Sequence, residues 1–174
     1  TDLTMRPWFI NFQSSFDRWS QLSGLTFNYV SYDGGEPIDN TTNPSGLLGT
    51  YADIRIGGHS IDGQSGSNIL AYNYYPNHGD MVIDTDNSGF YSNSNNSFVG
   101  LRNTVMHELG HGLGLDHRRS LAAGDDYLME PFINTAFDGP QFDDIWSIQR
   151  GYGDALEKGG GNDTFSTATD LGTL

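Results

Sequence analysis

His107-Glu108-Leu109-Gly110-His111-Gly112-Leu113-Gly114-Leu115-Asp116-His117 decides how the chain is read. On a helix of 3.6 residues per turn, side chains four apart leave the same face, so the imidazoles of His107 and His111 converge on one point. Such a pair chelates a metal ion. Glu108 carries a carboxylate placed to reach a water at the metal rather than the ion itself, which is the position of a general base. Gly114 suits a left-handed exit from the helix and leaves three steps to bring His117 to the ion from another direction. The ligand set is then three neutral imidazoles with an open fourth position, as in catalytic zinc. Structural zinc is usually closed by four ligands, often cysteines, and this chain has none.

Composition narrows the class further. The 174 residues suit one domain with a sizeable core. A formal net charge of -14 argues against a nucleic-acid partner, whose phosphates would be repelled. Aspartate, asparagine and glycine are abundant, a composition that serves either calcium-binding loops or a solvated acidic surface. The absence of cysteine removes disulfides and rules out a cysteine protease. No apolar run approaches the ~20 residues of a membrane helix. Thr1 opens into mixed sequence without a signal segment, as in a processed or truncated chain.

Around the central stretch the chain alternates strand and helix patterns. Leu3 to Phe12 reads as a strand, or a short strand and loop, broken near Pro7. Phe16, Trp19 and Leu22 recur at helical spacing and predict a helix over 14–22. Strands are predicted at Leu25 to Ser31, Tyr51 to Ile56, Ile69 to Tyr75 and Met81 to Ile83, with loops at 33–49 and 57–68. The third of these could offer its backbone to an extended peptide. Asp84 to Gly89 resembles the oxygen-rich half of a calcium loop, but Asn95 stands where an EF-hand needs glutamate.

The active-site helix spans 97–114, with Leu101, Val105, Met106, Leu109 and Leu113 facing the core. Met129, in a tight turn two residues before Pro131, suits a floor beneath the metal or ordinary core packing. Asp143 and Asp144 open a last helix through Ile148, where negative charge favours a helix N-terminus. Residues 1–156 form the domain; 157–174 are a Gly-rich linker and a tail, or the start of a further domain.

The full pattern H-E-x-x-H-x-x-G-x-x-H is the metzincin signature. Ala52-Asp53-Ile54-Arg55-Ile56 matches an ADIxI strand, and Asp143 to Gln149 with Tyr152-Gly153 is similar to a DDIxxIQxxYG ending. With these, most of residues 1–153 resemble the matrixin branch of the metzincin metallopeptidases. The resemblance implies an α/β (α+β) fold: a twisted, mostly parallel five-stranded sheet with one antiparallel edge strand, backed by helices. A small C-terminal subdomain would hold the third histidine, the methionine turn and the final helix. Asn68, Ile69, Leu70 and Ala71 would be the edge strand lining the substrate cleft. Pro131, Phe132 and Ile133 would wall the specificity pocket, favouring an apolar side chain just after the cut.

By the same resemblance Asp62, Asp80 and Asp84 stand where the family binds calcium. Tyr72 and Val82 replace histidines of the family's structural zinc site, so no such zinc is expected, and His59 and His78 read as surface residues. The tail resembles the opening of a C-terminal domain of bacterial secreted proteases, which points to a microbial source.

These features predict a secreted, monomeric zinc endopeptidase acting on polypeptides, with zinc on His107, His111 and His117 and Glu108 as the base. Two other readings use the same residues: a catalytically silent module that grips peptides, and a zinc hydrolase of a non-peptide amide. The intact Glu108 speaks against the first, and only a substrate test separates the second.

Overall fold

The computed structural model describes residues 2–35, 37–38, 46–47, 49–64, 69–121, 126–159, 161–162, 164, 166–170 and 172. Asn68, residues 39–45 of the predicted loop at 33–49, part of the crossing between His117 and Met129, and Gly160 of the predicted linker lie outside the described residues. The helices are α1 (Phe9–Leu22), α2 (Ser88–Tyr91), α3 (Val99–Gly112) and α4 (Phe142–Tyr152); the strands are β1 (Ile56–His59), β2 (Ala71–Asn73) and β3 (Met81–Asp84).

The sheet has the order β1-β3-β2. β1 runs parallel to β3 with Ile56 opposite Met81, and β2 runs antiparallel to β3 with Ala71 opposite Ile83. The antiparallel edge strand is therefore present, although three strands rather than five pair among the described residues. Leu25 to Ser31 stays outside any ladder there.

Leu3 to Phe12 corrects the strand expectation, because α1 already begins at Phe9. The buried residues Asn11, Ser15 and Trp19 are four apart, so the helical stripe extends upstream of the point where the aromatic residues mimic alternation. Pro7 lies just before the helix, where it costs no hydrogen bond. The strand expected at Tyr51 to Ile56 is shifted to Ile56–His59. Arg55 explains the shift: its backbone N–H donates to Asp80 Oδ1 at 2.8 Å and its carbonyl accepts from Met81 at 2.9 Å, so pairing starts there. Gly57 continues the strand opposite Val82, and glycine is needed there because a Cβ would lie 2.4 Å from Ile38 Cδ1.

α3 is the centre of the molecule. Eleven of its fourteen residues are buried, including Asn103, Thr104, His107 and Glu108. α1 lies across it, and the Trp19 indole N–H donates to Met106 O at 3.0 Å. Trp19, Met81, Val105, Leu109 and Ile148 meet in one core, joining α1, β3, α3 and α4. The last turn, Ala155–Glu157, is still tied to the domain, since Lys158 Nζ donates to Ser20 Oγ at 2.9 Å.

Candidate active site

α3 delivers the first two histidines buried, at 4% and 8% exposure, whereas His117 arrives exposed on irregular backbone. Gly114, at φ +95, makes the turn between them, and Leu115 N–H closes it by donating to Gly110 O at 2.9 Å. The three Nε2 atoms form a triangle with sides of 3.1, 3.2 and 3.2 Å. Tetrahedral zinc with Zn–N of about 2.0–2.1 Å requires nitrogens about 3.3–3.4 Å apart, so the donor set fits that ion.

The protonation of the rings supports the same fit. His107 Nδ1 donates to Leu128 O and His111 Nδ1 to Leu115 O, both at 2.7 Å, which leaves both Nε2 lone pairs facing the common point. Burial lowers the His107 pKa to about 4 and lowers that of His111 too, keeping both imidazoles neutral. Glu108, 7% exposed, has its carboxyl pushed up to about 7 by burial, a value suited to proton transfer near neutral pH.

Met129 is 1% exposed and lies in the turn from Tyr127 to Glu130, against the backbone of Gly110. Its segment is held by Asp144, whose carboxylate accepts from Leu128 N at 2.7 Å, Met129 N at 3.2 Å and Gln141 N at 2.8 Å. Burial pushes the Asp144 carboxyl up, and the three N–H groups oppose that. Because Leu128 O also anchors His107, the start of α4 and the first ligand are linked through one peptide. Sequence reading places Asp144 at a helix N-terminus and misses this longer reach.

Asn103 is a second residue that the sequence does not announce. Fully buried, it donates to Asn134 O at 2.8 Å and Phe137 O at 2.9 Å, and accepts from Gly139 N at 2.8 Å. It thereby fastens the segment following Pro131, Phe132 and Ile133 to α3; Phe132 itself is 75% exposed. β2 stands at the sheet edge, with Ile69 and Leu70 leading into it: Ile69 O accepts from Asn87 Nδ2 and Leu70 O from Asp84 N.

The acidic residues do not group as expected. Asp62 and Asp84 come together with Asp86, their carboxylate oxygens all within 4.8 Å of one another. Asp80 is elsewhere: its Oδ2 accepts from Arg55 Nη2 at 2.8 Å and Nε at 3.2 Å, a buried ion pair that uses its charge. His59 is exposed as expected. His78 is not a surface residue: its ring stacks on Tyr74 at 4.3 Å and its side chain is 12% exposed.

Comparison with known proteins identifies the family. The matrixin family model matches residues 4–153. Matrix metalloproteinase-16 of Rattus norvegicus is 32% identical over 147 residues, covering 80% of this chain and 23% of that protein. Metalloendoproteinase 2-MMP of Arabidopsis thaliana is 29% identical over 150 residues, covering 82% and 36% respectively. The hatching enzyme of Paracentrotus lividus is 31% identical over 143 residues, covering 80% and 21%. The chain thus spans well under half the length of these relatives. A three-histidine site whose first two members stand on a central buried helix, with a family match across nearly all of the domain, places this chain in the matrixin family of metalloproteases.

Proposed function

We propose that the domain is a secreted zinc-dependent endopeptidase that hydrolyses internal bonds of polypeptides. The observation carrying this reading is the Nε2 triangle of His107, His111 and His117, with the carboxyl of Glu108, the residue after the first of them, buried. Zinc held there supplies Lewis acidity, which acidifies a water and polarises the scissile carbonyl. Glu108 accepts the proton of the attacking water and passes it to the leaving amine. β2, at the edge of the sheet among the described residues, takes the substrate backbone, which runs extended beside Ala71. Pro131, Phe132 and Ile133 wall the pocket for the residue after the cut, tethered through Asn103. Met129 forms the floor beneath the metal.

Asp62, Asp84 and Asp86 hold a calcium ion that ties their loops together; at Ca–O distances of about 2.3–2.6 Å its ligands lie up to about 5 Å apart. The catalytic unit is residues 1–156 and works as a monomer. Among the described residues no helix is long and apolar enough to cross a membrane.

Cleavage of a quenched peptide library by wild type and Glu108→Ala tests the reading, at matched zinc occupancy and with a chelator control. Loss of turnover in the variant with zinc still bound, together with loss on chelation, is expected. Zinc-loaded, calcium-supplemented wild type that cuts no peptide would overturn it.

A further inference from the structure

Of the three ligands, His117 has the least support. It is exposed, it belongs to no helix or strand, and among the described residues nothing accepts from its Nδ1, whereas His107 and His111 are each anchored on a carbonyl. Its position therefore depends on the path of the chain from Gly114 to Arg118. The far end is fixed by Arg118 N–H, which donates to Met129 O at 2.7 Å. The near end meets the segment that follows β2. The Tyr75 hydroxyl donates to Asp116 Oδ1 at 2.8 Å, across 41 residues of sequence, and Asp116 directly precedes His117.

Tyr75 is well placed for this task. Its own carbonyl accepts from His78 N at 3.2 Å and Gly79 N at 3.3 Å, which pins the turn it starts. Its ring lies 5.6 Å from that of His111, inclined at 57°. Pro76 presses on the same exit, since a Cβ on Gly114 would stand 3.2 Å from Pro76 Cγ.

We propose that Tyr75 is a positioning residue: through Asp116 it straps the third-ligand loop to the edge of the sheet and holds His117 ready for the metal. A ligand loop already ordered loses less conformational freedom on binding, so the strap acts on metal affinity rather than on the fold. Its role rests on the metal site proposed above.

Zinc affinity, measured by competition with a chromophoric chelator, tests it on the intact chain. Tyr75→Phe keeps the ring against His111 and removes only the hydroxyl. It should weaken zinc binding about tenfold, the lower end of what supporting partners of metal ligands contribute, and speed zinc loss in proportion. Asp116→Ala should match it, the double variant should be no worse than either single one, and Asp116→Asn, whose amide oxygen still accepts from Tyr75, should keep most of the affinity. The urea midpoint of the metal-free protein should not move in Tyr75→Phe. Unchanged zinc affinity in Tyr75→Phe, additive losses in the double variant, or an Asn variant as weak as the Ala variant would overturn the strap alone. Wild type that takes up no zinc would overturn the metal site and the strap with it.

Discussion

Gly110 lies between the two helical ligands, and a Cβ built on it would stand 2.5 Å from Met129 Sδ, 3.1 Å from Met129 Cε and 3.6 Å from Trp19 Cζ2. Gly110→Ala therefore sets two effects against each other. Alanine in a helix interior gains about 1 kcal/mol over glycine from backbone entropy. Overpacking a closed site costs about 1–3 kcal/mol, and here the displaced group has little room, because Met129 is 1% and Trp19 0% exposed. The steric cost outweighs the entropic gain, so the variant should lose up to about 2 kcal/mol, or up to about 8 °C in Tm for a chain of this size.

Urea unfolding of the metal-free protein measures the loss, with an unchanged m-value as the check that only stability moved. The decisive step is a double-mutant cycle with Met129→Ala. Removing the sulfur makes room for the new methyl, so the double variant should be more stable than the sum of the singles predicts, by about 1–2 kcal/mol. A Gly110→Ala variant about 1 kcal/mol more stable than wild type, with additive effects in the cycle, would show helix propensity alone at work. Met129 would then not be packed against the ligand-bearing helix.

In the metal-free protein, burial raises the Glu108 carboxyl from its ordinary 4.5 to about 7, so it contributes stability below its unfolded value that is lost as pH rises through 7. The unfolding free energy of wild type relative to Glu108→Gln should therefore grow by on the order of 3 kcal/mol from about pH 8 to about pH 4.5, and a difference flat with pH would refute the buried carboxyl. Asp144→Ala should cost about 2–4 kcal/mol in urea unfolding by stranding three N–H groups. It should also weaken zinc binding about tenfold through Leu128 and His107, and normal zinc affinity would disconnect the two. Asp80→Ala, which takes the buried carboxylate from Arg55 and leaves it Asp33 and the Pro37 carbonyl, should cost about 3 kcal/mol and leave any response of stability to calcium unchanged, whereas Asp86→Ala should remove such a response. The reverse pattern would return calcium to Asp80.

Much of the site is legible because it is local. His107, Glu108 and His111 lie within one turn of helix, and the helical period alone puts the imidazoles together. Gly114 announces the exit that the structure makes at φ +95. The start of α1 is less legible, since Trp8, Phe9, Ile10 and Phe12 satisfy alternation and helical spacing over so short a run. Only the buried partners Asn11 and Ser15 decide for the helix. The grouping of the aspartates is less legible for another reason. Asp80 and Asp86 are equally acidic on paper, and the difference is Arg55, which approaches Asp80 from 25 residues away.

By itself the sequence determined the candidate metal site: three imidazoles, a neighbouring carboxylate and the turn that joins them, all set by spacing within eleven residues. It also determined the helix that carries the first two ligands. Tertiary structure alone decided which strands pair, which aspartates cluster, and how Leu128, Asp144, Asn103 and Tyr75 brace the ligands and the wall. Those contacts join residues 15 to 41 apart, and their partners are backbone groups or ordinary polar side chains. Periodicity reports which face a residue turns inward, but not what the rest of the fold brings to meet it.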